Sequence, residues 1–258
     1  MLFSKSDIEN LNYITEDATS YITIYHDEVV KIFNNIDTNL KSEITIINFD
    51  QHSDIHLNIP HQTLSYANWV NFLLLQNQIK DFFWYFPKSN IKKYKKFKPK
   101  FDIGPLIPNL NHLKEGNLQY KFFLDRKNFE IITPKKIKVL NENAIEFEMP
   151  KFYDKEKLEQ YNINISTFDN KKSFLNKKIF LTIDADFFSI RNEKVKKQIY
   201  LHKYLLYKSF SDFLKYLKTN YIKPIYIVMT YSPNYINDYD KKDISYFFDM
   251  ILKRSLKI

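Results

Sequence analysis

The chain has 258 residues, 44% of them apolar, which suffices for one large folded domain with a real core and excludes a disordered chain. It holds no cysteine and only 2 glycines. That excludes disulfides, thiol nucleophiles, thiolate zinc sites and iron–sulfur clusters, and leaves no glycine-rich phosphate cradle of the G-x-G-x-x-G or P-loop kind.

The formal net charge is +9, and much of the lysine sits in one run, Lys88–Lys100. Such a surface would suit nucleic acid, an anionic membrane or an acidic peptide, although the Lys, Asn, Ile, Phe and Tyr bias of the whole chain accounts for it as a compositional trait. The N-terminus, MLFSKSDIENLNYITED, has acids and amides where a secretion signal needs an apolar stretch. The most apolar region, Trp69–Phe86, is broken by Asn71, Gln76, Asn77, Gln78, Lys80 and Asp81, so no transmembrane helix is expected. A soluble, cytoplasmic protein with no membrane partner is the expectation.

In chain order, Tyr21–Tyr25 is a β-branched and aromatic run and predicts a strand, with His26 at its end and a helix over 27–34. Ile44–Phe49 (ITIINF) predicts a second strand, apolar on both faces as in a parallel sheet covered by helices on both sides. Thr63–Lys80 has helical spacing, and Phe82–Phe86 predicts a strand ended by Pro87. Residues 88–170, which hold the lysine run and Pro99, Pro105, Pro108 and Pro134 among their prolines, predict an insertion or lid on the sheet edge, with β-like pieces at 119–124, 130–133 and 144–148. Order returns with the strand Ile179–Ile183, an amphipathic helix over 193–217, the strand Pro224–Thr230 and a closing helix over 240–256. Strands alternating with helices argue for a single three-layer α-β-α domain with a mainly parallel sheet.

Three of these strands run into metal-ligand residue types. The first ends in His26, the second enters Asp50-Gln51-His52-Ser53-Asp54, and IFLTI enters Asp184-Ala185-Asp186. In extended backbone alternate side chains share a face, so Asp50, His52 and Asp54 can point into one space, as can Asp184 and Asp186. In such sheets the functional site lies beyond the carboxyl ends of the strands. Four carboxylates that close resist joint ionisation unless cations compensate them. Oxygen-rich ligation with some imidazole suits two Mn2+, with Fe2+ or Co2+ as competitors, and suits zinc less well.

Asp50-Gln51-His52-Ser53-Asp54 resembles the D-A-H-x-D motif of the arginase and agmatinase (ureohydrolase) superfamily, and Asp184-Ala185-Asp186 resembles the D-x-D of that superfamily's later motif. His26 fits the place of its first histidine. The resemblance covers roughly residues 20–86 and 178–235 and not the middle of the chain. The divergent peptide arginases are the most similar branch, through TIYHDEVVKIF, INFDQHSDI, Asn68-Trp69, TIDADFFS and VMTYSP.

The resemblance implies an arginase-like fold with His26, Asp50, Asp54 and Asp184 on one metal and Asp50, His52, Asp184 and Asp186 on the other. It also implies hydrolysis of arginine side chains in a ribosomally made precursor peptide to ornithine and urea, Asp54 aiming the attacking water. His56 and His61 follow the motif and are the candidates for protonating the leaving amine; each is equally readable as a surface-loop histidine. Asn68, Tyr231 and Ser232 are candidates for substrate contact, Asn68 also for capping.

The departures matter as well. Where free-amino-acid arginases carry a glutamate that contacts the guanidinium, this chain has Thr230-Tyr231-Ser232-Pro233, so another acid, Asp238 or Asp240, would have to serve. The third acid of the D-x-D-x-x-D pattern is Ser189. Another C–N hydrolase, such as a deacetylase or small guanidine hydrolase, and a basic nucleic-acid-binding protein are the rival readings; the oligomeric state, a homo-oligomer included, is open.

Overall fold

The computed structural model describes residues 3–52, 54, 64–75, 81–85, 117–125, 130–132, 136–141, 144–148, 159–166, 173–189 and 199–256. Ten strands lie among them: β1 (Thr19–Thr23), β2 (Ile44–Phe49), β3 (Asp81–Tyr85), β4 (Asn117–Asp125), β5 (Glu130–Ile132), β6 (Lys136–Asn141), β7 (Ala144–Glu148), β8 (Glu159–Ser166), β9 (Lys178–Asp184) and β10 (Pro224–Thr230). The helices are α1 (Lys5–Thr15), α2 (Glu28–Asn34), α3 (Thr38–Lys41), α4 (Trp69–Leu75), α5 (Ile199–Thr219) and α6 (Asp238–Ser255).

The main sheet has the order β1-β10-β9-β2-β3-β8-β4-β5. From β1 to β8 every neighbouring pair is parallel; β4 and β5 follow as antiparallel edge strands. The fold is thus α/β with a mainly parallel sheet and helices on both faces. All six residues of β2 are buried, as are six of the seven in β9, which is why both strands are near-continuous apolar runs. On one face Phe49 packs edge-on against Phe213 of α5, 4.9 Å between ring centroids, and Phe210 of α5 stacks on Phe247 of α6 at 4.4 Å. On the other, Phe180 meets Phe33 of α2 at 5.3 Å and Phe82 meets Trp69 of α4 at 6.3 Å.

Several expectations shift in detail. The first strand lies at 19–23 rather than 21–25, because Ile24 and Tyr25, 55% and 45% exposed, have already left the sheet. The helix expected over 63–80 is confined to 69–75 among the described residues, with a turn before it. The span 88–170 is more than decoration: β8 pairs in parallel with β3 and so belongs to the sheet itself, while β4 and β5 extend its edge and β6 and β7 form a separate ribbon. Helix α1 was not anticipated, although Ser4 and Asp7 form a reciprocal capping box that the sequence spells out. Among the described residues no helix is long and apolar enough to cross a membrane.

Candidate metal centre

The chain leaves β2 for α4 and β3 on one side, and leaves β9 for α5 and β10 on the other. Adjacent strands whose connections diverge in this way open a crevice at their carboxyl ends. Because β2 and β9 pair with Phe49 opposite Ile183, both strands end at one level, and Asp50 and Asp184 stand together at the crevice floor.

The two strand ends are built alike. Asp50 Oδ1 accepts the backbone N–H of His52 at 2.7 Å, and Asp184 Oδ1 accepts that of Asp186 at 2.9 Å. Each is an Asx-type turn, which uses one carboxylate oxygen and frees the other to face the crevice. The turn after β9 opens a single 3₁₀ turn, Ala185–Phe188. Gln51 ties the two ends together, its backbone N–H donating to Asp186 Oδ1 at 3.3 Å and its side chain to the Asp186 carbonyl. Below them, the buried Asn48 of β2 accepts from Thr182 of β9 at 2.5 Å. From β3, the Trp84 indole donates to the Asp50 carbonyl at 2.9 Å.

All six residues expected as ligands converge here. His26 Nδ1 lies 2.8 Å from Asp54 Oδ2, 3.1 Å from Asp50 Oδ2 and 3.4 Å from Asp184 Oδ2. His52 Nδ1 lies 3.0 Å from Asp186 Oδ2 and 3.6 Å from Asp50 Oδ1. The ligand atoms fall into two groups, His26–Asp50–Asp54 and Asp50–His52–Asp186, each within 4.8 Å. Asp50 belongs to both, one oxygen turned to each histidine. His26 is 1% exposed, and neither of its ring nitrogens has a hydrogen-bond partner among the described residues.

One imidazole nitrogen facing three carboxylate oxygens has more acceptors than a single N–H can satisfy. A small hard divalent cation with bonds of about 2.1 Å and near-octahedral geometry sets adjacent ligand atoms about 3 Å apart. The observed spacings match that edge, and carboxylates with imidazole form a donor set that such a cation takes. The residues present therefore fit the group.

The electrostatics show the same crowding. Burial works against a charged His26, yet the Asp54 carboxylate and the contacts with Asp184 and Asp50 raise its pKa well above the usual histidine value. His52 is raised likewise, burial being outweighed by Asp186 and Asp50. Burial and then the Asp50 charge push Asp54 up to about 7, and burial with the Asp184 and Asp50 charges pushes Asp186 well up. Asp50 goes the other way: burial is overcome by the two histidines, and its carboxyl lies below the usual range. The side chains alone answer four clustered carboxylates by holding protons.

Two site residues occupy left-handed backbone, Asp54 at φ 52° and Ser232 at φ 42°. Non-glycine residues there cost of order 1–3 kcal/mol, and such strain concentrates at functional sites. Ser232 donates its hydroxyl to Asp184 Oδ2. Tyr231, its neighbour, turns instead to the helices and packs on Phe248 at 5.6 Å. Asn68 is buried, its side-chain oxygen accepting from the Ser65 backbone at 2.7 Å in the turn before α4. His56 and His61 lie outside the described residues, as does the lysine run.

Of the two acids considered for guanidinium contact, one is buried and the other lies exposed in a surface pair. Asp240 is fully buried among His202, Ser189 and Asn237, and Asp238 pairs with Lys241 at 2.7 Å. Sequence reasoning missed Gln51, Trp84 and Tyr235. No protein-family model matches the chain, and no curated protein matches it.

Proposed function

We propose that the protein is a binuclear metal-dependent hydrolase of C–N bonds, and that it acts as a manganese-dependent peptide arginase on a precursor peptide. The observation that carries the metal reading is the convergence of three carboxylate oxygens on the buried His26 Nδ1, with Asp50 shared by a second His–Asp group. The arginine reading is supported by the three strand-end motifs and by TIDADFFS and VMTYSP in their expected order.

His26, Asp50, Asp54 and Asp184 would hold one cation and Asp50, His52, Asp184 and Asp186 the other. Two such cations would supply Lewis-acid chemistry, lowering the pKa of a water toward neutrality and offsetting charge that develops at the reacting carbon. The chain's own contribution is positioning. Asp54, set by its left-handed backbone, can accept a hydrogen bond from the attacking water or hydroxide and so aim it at the guanidinium carbon. Gln51 and Ser232 hold Asp186 and Asp184 in place, and the burial of the ligands excludes bulk water. A nearby group must protonate the leaving amine, the role for which His56 and His61 are proposed.

The test is metal content after purification without chelators, paired with Asp184→Asn. About two metals per chain, falling sharply in the variant, is the expected result. Product analysis then separates the chemistries: urea with peptidyl ornithine for this reading, acetate for a deacetylase. No bound metal and no manganese-induced stabilisation would overturn it.

A further inference from the structure

The six converging residues differ in exposure. Asp186, His26, Asp50, Asp184 and Asp54 are at most 7% exposed, whereas the His52 side chain is 21% exposed. The centre therefore opens on the His52 side. Tyr235 stands over that opening, its ring 5.2 Å from the His52 ring and inclined at 60°. Tyr66 continues the surface 6.1 Å beyond, at 58° to Tyr235. Both are open to solvent, at 40% and 48%.

The pair is assembled from two separate parts of the chain, the turn before α4 and the loop between β10 and α6. Tyr235 is tied to the centre: its backbone N–H donates to the Ser232 carbonyl at 2.9 Å, and the Ser232 hydroxyl holds Asp184. The acids that follow in the same loop and helix are engaged elsewhere, Asp240 in a buried network and Asp238 with Lys241. A positively charged group reaching the His52 side meets the rings of Tyr235 and Tyr66.

We propose that Tyr235 and Tyr66 form the recognition platform for a planar cation, the guanidinium of a substrate arginine, as it approaches the His52 side of the centre. The proposal rests on the guanidine-hydrolase reading above. Guanidinium is planar, weakly hydrated and stacks on aromatic faces, while the phenol hydroxyls can accept its N–H groups. A compact, strongly hydrated ammonium gains less from the same surface.

The experiment uses manganese-loaded wild type, Tyr235→Phe, Tyr235→Leu and Tyr66→Leu, with N-acetyl-arginine-N′-methylamide as probe and its citrulline and lysine counterparts as controls. Urea release and direct binding by calorimetry are both read, alongside manganese per chain. Tyr235→Leu should raise KM and weaken probe binding about three- to thirtyfold, with kcat and metal content near wild type. Tyr235→Phe should stay close to wild type, and the citrulline and lysine probes should bind more weakly than arginine.

Unchanged KM and binding in Tyr235→Leu would overturn the platform, as would loss of metal in that variant, which would make Tyr235 a support for His52. If the wild type releases no urea, the guanidine-hydrolase reading falls by itself. Calorimetry then still decides: arginine-selective binding lost in Tyr235→Leu upholds the platform, and no binding overturns it.

Discussion

Trp69 and Asp54 are joined by a hydrogen bond from the indole N–H to Asp54 Oδ2 at 2.5 Å, and the same indole lies 5.0 Å from the His26 ring. One buried side chain thus fixes a carboxylate and covers the histidine that the carboxylate faces. Partners of this kind orient metal ligands and set affinity.

Trp69→Phe keeps most of the apolar cover but removes the donor. Manganese affinity is expected to fall about 10- to 100-fold. Titration of the metal-free protein reads this directly, and an unchanged dissociation constant would show that Asp54 needs no such restraint.

Asp186→Asn should separate stability from metal binding. Asp186 is fully buried beside Asp184 and Asp50, which disfavour its charge. The amide removes that repulsion while its oxygen can still accept the Gln51 N–H. In chelator the variant is expected to be more stable than wild type by about 1 kcal/mol, yet to gain little from manganese. Thermal melts in chelator and in manganese test both halves; a variant less stable in chelator would contradict the account of crowding.

The protonation of the centre gives a pH dependence with a definite sign. Asp54, at about 7, and Asp186, also raised, hold protons in the folded chain at pH values where the unfolded chain has released them. The carboxyl contribution is therefore lost as pH rises from the ordinary value of 3.8. The raised histidines stabilise fully below their ordinary 6.5, and that stability is lost as pH climbs toward their folded values. Asp50, depressed, acts oppositely, adding stability above 3.8 that is lost in stronger acid. Metal-free protein should melt at progressively lower temperature between about pH 5 and pH 8, and the manganese-induced gain should grow over the same range, since binding displaces protons. A metal-free melting temperature that rises across that window would count against the assignment.

Thr182→Val probes the floor beneath the centre. The Thr182 hydroxyl donates to Asn48 inside the sheet, and both residues are 0% exposed. Removing the hydroxyl leaves a buried amide oxygen unsatisfied, which costs about 1–3 kcal/mol. Denaturant unfolding should show that loss. Because Asn48 also lies 3.5 Å from Asp50 Oδ2, metal affinity should weaken with it.

Much of the centre was legible because its physics is local. A strand that ends in Asp-x-His or Asp-x-Asp carries its own alternation, and the Asx-type turns at Asp50 and Asp184 need only residues two apart. What could not be read was set by distant chain. Ser232 reaches Asp184 while its neighbour Tyr231 packs away, a choice made by the left-handed backbone at 232 and not by residue type. Tyr235 and Tyr66 meet across 169 positions, with no spacing rule to announce them. Asn68 offered a polar side chain near the motif, but the local turn uses its oxygen. In the fold, the interior strands β2, β9 and β10 stood out through their near-continuous apolar runs. Strand β8 did not, since a strand next to the antiparallel edge has no long apolar run to mark it.

The pairing of β1 with β10 has a consequence for how the protein comes into being. Thr19–Thr23 can find its place in the sheet only after Pro224–Thr230 exists, and His26 hangs from the first of these strands. His26 can therefore meet the strand-end aspartates only once β10 has been made, and contacts of such long sequence separation form slowly. Any cation that these residues hold would thus be loaded only after β1 and β10 have paired, which makes loading a late step of folding.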